Sequence, residues 1–396
     1  MDYKTILPDL FKAYYGARKN KRNHESVLSF EINYEQNLFQ LARDLTNESY
    51  TISPSNCFIC FKPLKREIFA ADFRDRIVHH LIFNYINPIF ERSFICDSYS
   101  CRIGKGTSYG IKRLDHFIRS CSQNYIKDCH ILKLDIKGYF MSIDKNILYK
   151  KLAEKINNSK NNINFDTVWL LALIHQVIFH DPTKDCIIKG NKENWIGLPK
   201  SKSLFWARPD TGLPIGNLTS QLFGNVYLDD FDHFIKHKLN CSYYGRYVDD
   251  VVIVHPDKEY LKSIIPIIKK YLHDELFLEL HPKKIYLQPD QNGVSFLGVF
   301  IKPYRIYIKN RTKGNFYNKI ECWNKFLGED NQVKFVASMN SYLGMISHFN
   351  TYKLRRKMLT ERMSPNCKKF VHIGNDFNKI ISNNFAIIKD DSGNKT

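Results

Sequence analysis

Two adjacent aspartates, Asp249 and Asp250, lie in the segment Tyr247-Val248-Asp249-Asp250, between the apolar runs 243–244 and 251–254. Apolar runs on both sides of a short polar segment predict two β-strands joined by a tight turn, with both carboxylates at its tip. Like charges about 4 Å apart repel by roughly 4 kcal/mol at an effective dielectric near 20, so such a pair favours a divalent cation. Mg²⁺ prefers hard oxygen ligands of this type, especially where phosphates complete its coordination shell. A surface turn that uses aspartate only as a turn residue is the alternative interpretation.

A third carboxylate, Asp135, belongs to a segment in which Leu132, Leu134 and Ile136 alternate with polar residues. This alternation predicts a strand that places Asp135 on the face opposite the apolar set. Only the fold can bring Asp135 close to Asp249, because 114 residues (249 − 135) separate them. Two metal ions about 3.5–4 Å apart stabilise the attacking and leaving oxygens of an in-line phosphoryl transfer. If the fold brings them together, these carboxylates are candidate ligands for such metal ions.

The elements that must position these residues follow from the apolar spacing along the chain. Residues 1–50 have a helical pattern and residues 50–70 a strand pattern, and a helix is predicted to begin near Asp72. Helices are also predicted over 216–240 and 257–280, where apolar residues recur at intervals of three and four. A turn and strand are expected over 292–298, helical and basic sequence beyond 310, and disorder from about residue 387.

The charge balance of the chain favours a polyanionic partner. The net charge is +19, with 59 Lys and Arg against 40 Asp and Glu, and 23 Tyr and 28 Phe offer surfaces on which bases can stack. The candidate nucleic-acid contacts are Arg74, Arg76, Lys105 in a Gly-Lys-Gly loop, Lys353, Arg355 and Arg356. Arg74 and Arg76 place positive charge at the start of a helix, against its dipole, which calls for a phosphate or for an ion pair with Asp72 or Asp75. For the other four residues, a solvated basic surface is the alternative interpretation.

Ten cysteines include the pair Cys57 and Cys60, which lie in an apolar run. Buried thiols are favoured over a zinc site, which needs four suitably spaced ligands, and a reducing, cytoplasmic location is expected. No apolar run approaches the roughly 20 residues that cross a membrane, and the N-terminal residues have no secretory apolar core. We therefore expect no membrane partner.

Taken together, the segments around Asp135, residues 213–221 and Tyr247-Val248-Asp249-Asp250 resemble the palm of reverse transcriptases. The last of these segments is similar to that family's YxDD box, and Asp135 stands at the position of its first metal-binding aspartate. The resemblance implies two Mg²⁺ ions, with Mn²⁺ as a substitute, on catalytic Asp135, Asp249 and Asp250, and the Ile136 backbone carbonyl as an additional ligand. Blocks 69–80 and 97–107 resemble bacterial reverse transcriptases. Ile215 and Ser220-Gln221, with 341–344 and 348–355, are similar to the enzymes of diversity-generating retroelements.

This resemblance implies an α+β fold of the right-hand polymerase type: an N-terminal helical extension (1–50), fingers (51–130), a palm with an antiparallel sheet (131–305), a helical thumb (306–385) and a disordered tail (386–396). It implies deoxynucleoside triphosphate substrates, a structured template RNA, a cDNA product, and a small basic accessory protein or a homo-oligomer. Phe140 would exclude a 2′-hydroxyl, and Lys62 and Arg66 would bind the triphosphate. Ile215, where relatives have a hydrogen-bonding Gln, implies low fidelity, notably opposite template adenine. The nucleotide-binding candidates are Lys62, Arg66, Phe140, Ile215, Gly216 and Gln221.

Two other functions remain open at this point. One is an antiphage-defence reverse transcriptase that makes repetitive, protein-primed or untemplated DNA with a noncoding RNA. The other is a non-enzymatic RNA-binding module on a degenerate palm, which the presence of all three aspartates disfavours. No RNase H, endonuclease, intron-type zinc finger or retron-type segment is evident, which argues against a mobile intron enzyme.

Overall fold

The computed structural model describes residues 1–61, 64–159 and 165–383. These residues form two compact units. The first consists of Met1–Phe117 and His130–Leu287, and the second of Ile118–Cys129 and the chain from Gln288 onward. The first unit therefore ends 18 residues (305 − 287) before the predicted end of the palm. The division into fingers, palm and thumb stays a prediction.

The first unit is rich in helices, as the apolar spacing predicts. Residues 1–50 are mostly helical, and a helix begins directly after Asp72, so both predictions are confirmed. Its helices are α1 Tyr3–Arg18, α2 Glu25–Glu31, α3 Tyr34–Thr46, α4 Phe73–Glu91, α5 Thr107–Cys121 (which continues into the second unit), α6 Tyr139–Ser142, α7 Lys145–Asn158, α8 Thr167–Phe179, α9 Leu218–Tyr227, α10 Asp229–His233 and α11 Lys258–Leu276.

Aspartate side chains begin several of these helices by accepting hydrogen bonds from amides of the first turn, which have no partner within the helix. Asp72 does this for α4, Asp144 for α7 and Asp257 for α11.

The predicted uninterrupted helix over 216–240 is wrong, because the chain leaves helical geometry at Leu228 and the segment ends in a π-helical turn. The helix predicted to reach residue 280 ends at Leu276.

The central sheet of this unit has the order β5-β6-β3-β7, and the pairs β5–β6 and β6–β3 are antiparallel, as predicted for a palm. Helix α11 packs on β3 and β6 and buries Leu261, Ile264 and Ile268 in the core that they share. A second sheet has the order β2-β1-β4. The strands are β1 Asn56–Cys60, β2 Arg66–Ala70, β3 His130–Asp135, β4 Ile187–Ile188, β5 Tyr243–Tyr247, β6 Asp250–His255 and β7 Tyr286–Pro289.

The second unit has its own core, in which Phe316, Phe335 and Leu343 are buried. The strand predicted after the turn at 292 is present as β8, and the sequence beyond 310 is mainly helical, as predicted. A hairpin, β11–β12, was not predicted, and the predicted disordered tail lies outside the described residues. The elements are β8 Val294–Phe296, β9 Val299–Lys302, β10 Arg305–Ile308, α12 Asn310–Phe326, α13 Gln332–Ser347, α14 Tyr352–Lys357, α15 Pro365–Lys369, β11 Val371–Ile373 and β12 Ile380–Ser382.

Two further sequence features can be located in the structure. All ten cysteines are free thiols, and Cys57 is buried in β1 while Cys60, at the end of the same strand, is half-buried. Across residues 1–61, 64–159 and 165–383, we find no helix with both the length and the apolar character needed to cross a membrane.

Candidate active site

The three predicted aspartates meet at one end of the central sheet. Strands β3 and β6 pair so that Asp135 lies directly opposite Asp250, and Asp249 occupies the turn that joins β5 to β6. The amide of Ile136 donates a hydrogen bond to the backbone carbonyl of Asp249, with 3.2 Å between N and O. The predicted convergence of residues far apart in sequence is therefore confirmed. The roles assigned to the carboxylates and to the Ile136 carbonyl stay predictions.

The three aspartates influence one another electrostatically. Burial, followed by the negative charges of Asp250 and Asp135, raises the pKa of the Asp249 carboxyl from 3.8 to about 6. A carboxyl group in this position resists ionisation unless a positive charge compensates it. The site thus has the property that the Asp-Asp turn suggested, namely an excess of negative charge that a cation would stabilise.

Two lysines supply part of that compensation. Lys284 Nζ lies 2.8 Å from Asp135 Oδ2, and Lys133 Nζ lies 3.0 Å from Asp250 Oδ1. Burial lowers the pKa of the Lys284 ammonium, but the hydrogen bond and charge of Asp135 outweigh it, so that the pKa is raised overall. Lys284 reaches the site because the segment around Leu280 forms an antiparallel bridge with Ile136.

The sequence reasoning missed both lysines as parts of the site. Lys133 had a usable signal, since it lies two residues before Asp135 on the same strand and therefore on the same face. Lys284 had none, because a contact between residues 149 positions apart leaves no trace in local spacing.

The donor set fits a divalent cation chemically, since carboxylate oxygens are the hard ligands that Mg²⁺ prefers. The arrangement is not a finished cage, however. Within the described part of the chain, no group of three or more His, Cys, Asp or Glu side chains is assembled closely enough to hold a metal ion. One oxygen of Asp135 and one of Asp250 face an ammonium group, so those two oxygens are engaged by the lysines.

Three of the predicted nucleotide-binding residues lie in one region of the first unit. Ile215 and Phe140 are half-buried and both pack against the small apolar cluster formed by Cys57, Phe69, Met141 and Leu204. The Ile215 carbonyl accepts a hydrogen bond from the Phe69 amide, at 2.8 Å. Gly216 has φ +139°, and a Cβ atom there would lie 2.7 Å from the Phe69 carbonyl oxygen. Close backbone approach to β2 therefore explains the glycine.

The remaining nucleotide-binding candidates are less closely defined. Arg66, the first residue of β2, is exposed. Burial raises the pKa of the Tyr247 hydroxyl, and the positive charge of Arg66 partly opposes that rise. Gln221 is exposed on α9. Lys62 lies outside the described residues. A direct role of these three residues in nucleotide binding stays a prediction.

The candidate nucleic-acid contacts near α4 and α5 have internal partners. Arg74 pairs with Asp75 at 3.6 Å, as the ion-pair alternative expected, but its shorter pair, at 2.6 Å, is with Asp44, which that alternative did not name. Arg76 Nε donates to the Ala71 carbonyl. Lys105 Nζ donates a hydrogen bond to the backbone carbonyl of Cys96, which ties the Gly-Lys-Gly loop to the segment before it. None of these bonds excludes a phosphate contact, which stays a prediction for Arg74, Arg76 and Lys105.

The candidates in the second unit divide into two kinds. Lys353 and Arg356 are exposed on α14, as a surface that contacts phosphates requires. Arg355 is only 6% exposed and is not part of that exposed surface, so its predicted contact with the nucleic-acid backbone stays a prediction that its burial disfavours. The reason is geometric, because neighbouring residues on a helix point in directions about 100° apart, and position 355 faces the core of this unit.

A close contact supports the strand that precedes the acidic turn. A Cβ atom added to Gly245 in β5 would overlap the ring of Tyr99. We expect Gly245→Ala to lower the free energy of unfolding by about 2 kcal/mol or more, because strand and ring are both packed on all sides. Urea unfolding followed by circular dichroism measures this. Gly314→Ala, at a helical position with open space around it, is the control and should be neutral or stabilising. Equal effects of the two substitutions would contradict the steric explanation.

The fold and the site together define a class of protein. An antiparallel sheet that carries paired aspartates on a turn, with a helix packed on it, and a mainly helical C-terminal part constitute the right-hand polymerase fold. Residues 65–301, more than half of the chain, match the family model described as "Reverse transcriptase (RNA-dependent DNA polymerase)". The chain belongs to the reverse transcriptase family.

More distant similarities accompany this match. Protein YkfC of Escherichia coli (strain K12) is 22% identical over 257 residues, which cover 57% of this chain and 60% of YkfC. Telomerase from Candida albicans, solved with a fragment of telomeric RNA, is 12% identical with a TM-score of 0.46, and the alignment covers 87% of this chain and 61% of the telomerase chain. Apo telomerase from Candida tropicalis is 13% identical with a TM-score of 0.45, and the alignment covers 77% of this chain and 55% of the telomerase chain. The chain thus spans 60% of the length of YkfC and 55% to 61% of the length of these telomerases.

Proposed function

We propose that this protein is an RNA-directed DNA polymerase that uses deoxynucleoside triphosphates. The observation that carries the proposal is that Asp135 lies close to Asp249 and Asp250, at one end of paired strands. These strands lie in the part of the chain that matches the reverse transcriptase family. The charges of Asp250 and Asp135 both act to raise the pKa of Asp249, and a divalent cation bound at these carboxylates would offset that repulsion. In a polymerase these carboxylates are the ligands that the reaction needs.

In this proposal, Asp135 and Asp249 hold a divalent cation pair, and Asp250 and the Ile136 carbonyl complete the ligand set. Mg²⁺ bound there, or Mn²⁺, would stabilise the charge on the attacking and leaving oxygens of an in-line phosphoryl transfer. The protein's own contribution is to fix the carboxylates in place. Adjacent paired strands hold Asp135 and Asp250 opposite each other, while the Ile136 amide binds the Asp249 backbone.

We further propose that the incoming nucleotide lies against the region where Phe140, Ile215 and Gly216 come together. Phe140 and Ile215 border one apolar cluster, and Gly216 keeps the backbone close to β2, where Arg66 begins the strand. An aromatic ring at this place would exclude a 2′-hydroxyl. Arg66, with Lys62, would contact the triphosphate, and Gln221 would lie beside the nascent pair.

Primer extension tests the proposed activity. A DNA primer annealed to an RNA template should be extended in the presence of deoxynucleoside triphosphates and Mg²⁺, and the extension should stop when a chelator is added. A protein that shifts the RNA in a gel but incorporates no nucleotide, with either Mg²⁺ or Mn²⁺, would instead be the non-enzymatic RNA-binding module.

We propose at a finer level that the enzyme copies a dedicated structured RNA with low fidelity, as the enzymes of diversity-generating retroelements do. The apolar Ile215 supports this proposal, because it is half-buried and packs against the same apolar cluster as Phe140. An aliphatic side chain there can neither donate nor accept a hydrogen bond, so a mispair loses little relative to a correct pair. A template RNA and a small basic accessory protein, or a second copy of the chain, are the partners that this function implies.

Substitution of Ile215 by Gln tests the fidelity proposal. Restoring a polar contact of about 1–3 kcal/mol is expected to lower misincorporation opposite template adenine by roughly tenfold. Sequencing of the cDNA measures the error frequency. Ile215→Val keeps the pocket apolar and serves as the control, which should leave the error frequency near that of the natural enzyme. An error frequency that Ile215→Gln does not change would refute the proposal.

The antiphage-defence function remains the alternative within the same family. RNA that copurifies with the protein and the DNA made from it can be sequenced to separate the two. A cDNA that matches a structured RNA and carries errors at adenines supports the retroelement function. Repetitive or untemplated DNA, or DNA joined to protein, supports the defence function.

A further inference from the structure

The acidic turn contains a residue in an uncommon backbone conformation. Val248, directly before Asp249, has φ +56°, in the left-handed region. Valine is branched at Cβ and seldom adopts this region, so the conformation persists only where surrounding groups hold it. Because Asp249 follows Val248, whatever holds Val248 also sets the direction in which the Asp249 side chain leaves the turn.

Side chains bind both backbone polar groups of Val248. Its amide donates to Ser100 Oγ at 3.3 Å, and its carbonyl accepts from Arg246 Nη1 at 3.0 Å. Ser100 is itself fixed by Asn225, since Ser100 Oγ donates to Asn225 Oδ1 at 3.0 Å and Asn225 Nδ2 donates to the Ser100 carbonyl at 2.8 Å. The left-handed residue is thus clamped from two sides by buried groups.

The guanidinium of Arg246 is held rigidly. Its side chain and that of Asp232 are both 0% exposed, and two parallel bonds of 2.6 Å join them, Nε to Oδ1 and Nη2 to Oδ2. Nη2 also donates to Ser98 Oγ at 3.2 Å, and Tyr244 Oη donates to Asp232 Oδ1. The backbone of Arg246 bonds to Asp97 and Tyr99, so strand and side chain are both fixed.

A contribution to stability does not account for this pair by itself. Removing two charges from water is costly, and a buried ion pair is often no more stabilising than apolar residues of the same volume. The planar fork of arginine does something that apolar residues cannot, because it binds a carboxylate with two nitrogens and a carbonyl with the third. Here that carbonyl belongs to the residue next to Asp249.

We propose that Arg246 is a positioning residue for the polymerase site. Arg246, anchored by Asp232, binds the Val248 carbonyl and so keeps Val248 in the left-handed backbone conformation. This conformation directs the Asp249 carboxylate toward Asp135. This inference rests on the proposed function, since it assigns Asp249 a role as a ligand for a divalent cation.

Arg246→Lys is the variant that tests it. Lysine retains the positive charge opposite Asp232 but, as a point charge, cannot bind the carboxylate and the Val248 carbonyl together. We expect kcat in primer extension to fall at least tenfold, and the Mn²⁺ concentration for half-saturation, measured by electron paramagnetic resonance, to rise at least fivefold. Thermal melting shows how much fold stability is lost.

Rescue by glycine separates a positioning role from a structural one. Glycine adopts the left-handed region without steric cost, so a turn with glycine at position 248 needs the arginine less. Relative to Val248→Gly alone, the double variant Arg246→Lys/Val248→Gly is expected to lose less than threefold in kcat and in Mn²⁺ affinity. Thermal stability should not recover, because the change at residue 246 remains.

Tyr244→Phe is the matched control, since it removes one hydrogen bond to Asp232 without touching Val248. It should lower the melting temperature while changing Mn²⁺ affinity less than twofold. The proposal is overturned if Arg246→Lys leaves Mn²⁺ binding unchanged, or if Val248→Gly gives no rescue. Mn²⁺ binding is read without catalysis, so a natural protein that binds Mn²⁺ but does not extend primers would contradict the proposed function and leave this test intact.

Discussion

Asp249→Asn is expected to lower primer extension by about 1000-fold while the protein stays folded and still binds RNA. Asparagine keeps the shape of the side chain but removes the negative charge from the position that lies against both other aspartates. Loss of one well-placed electrostatic group in an active site costs about 10²–10³ in rate, and a lost metal ligand belongs at the upper end of that range. Single-turnover incorporation of one nucleotide measures it.

The same substitution should stabilise the protein in the presence of a chelator. The pKa of Asp249 is raised from 3.8 to about 6 in the folded protein, so stability falls as the pH rises between these values and the penalty is complete above about pH 6. Asparagine has no such penalty. At pH 7 the free energy of unfolding should therefore increase by about 1–3 kcal/mol, and the gain should vanish below about pH 4. Urea unfolding at both pH values measures it.

Asp274→Asn is the control for both effects. Asp274 is a half-exposed aspartate on α11 whose ion pair is with His273. The control should leave extension and stability within the error of measurement. An Asp249→Asn variant that extends primers at a normal rate would remove the central argument for the active site.

Phe140→Ala is expected to admit ribonucleotides. The Phe140 ring is half-buried beside Tyr139, at 5.4 Å between ring centroids. Removal of the ring opens the space where we place the sugar 2′ position. Steric discrimination of this type is worth about 10- to 100-fold, so the ratio of kcat/KM for ribonucleotides to that for deoxynucleotides should rise by about that factor. Competitive extension with both nucleotide types measures the ratio.

Gly224→Ala provides the opposite change at the same ring. A Cβ atom there would lie 3.3 Å from Phe140 Cε1, so the ring must move by a few tenths of an ångström instead of disappearing. We expect a higher KM for deoxynucleotides without entry of ribonucleotides. If Phe140→Ala behaves like Gly224→Ala, Phe140 is an ordinary core aromatic residue and does not select the sugar.

The sequence predicted those parts of the site that leave a local pattern. Alternation of apolar and polar residues located the strand of Asp135, and apolar runs around a short polar segment located the turn of Asp249 and Asp250. The pairing of these strands followed from the family resemblance, and the structure has it. The interruption at Leu228 was missed because the apolar spacing continues through it.

The parts that could not be predicted are contacts between distant polar residues. Lys284 on Asp135 and Ser100 on Val248 join residues 149 and 148 positions apart. Arg246 and Asp232 are closer in sequence, but nothing in a strand pattern shows that a charged side chain is buried. Such pairs depend on how β-strands and helices pack, which composition and periodicity do not encode.

The ion pairs of Lys133 and Lys284 bear on how the chain folds. They mean that the acidic end of the sheet carries its own counterions, and that strand pairing there does not depend on an ion from solution. Small domains that depend on a structural metal are unfolded without it. Newly synthesised chains of this protein should instead reach their native structure in magnesium-depleted medium, so that the cation supply limits the rate of catalysis but not the yield of folded protein.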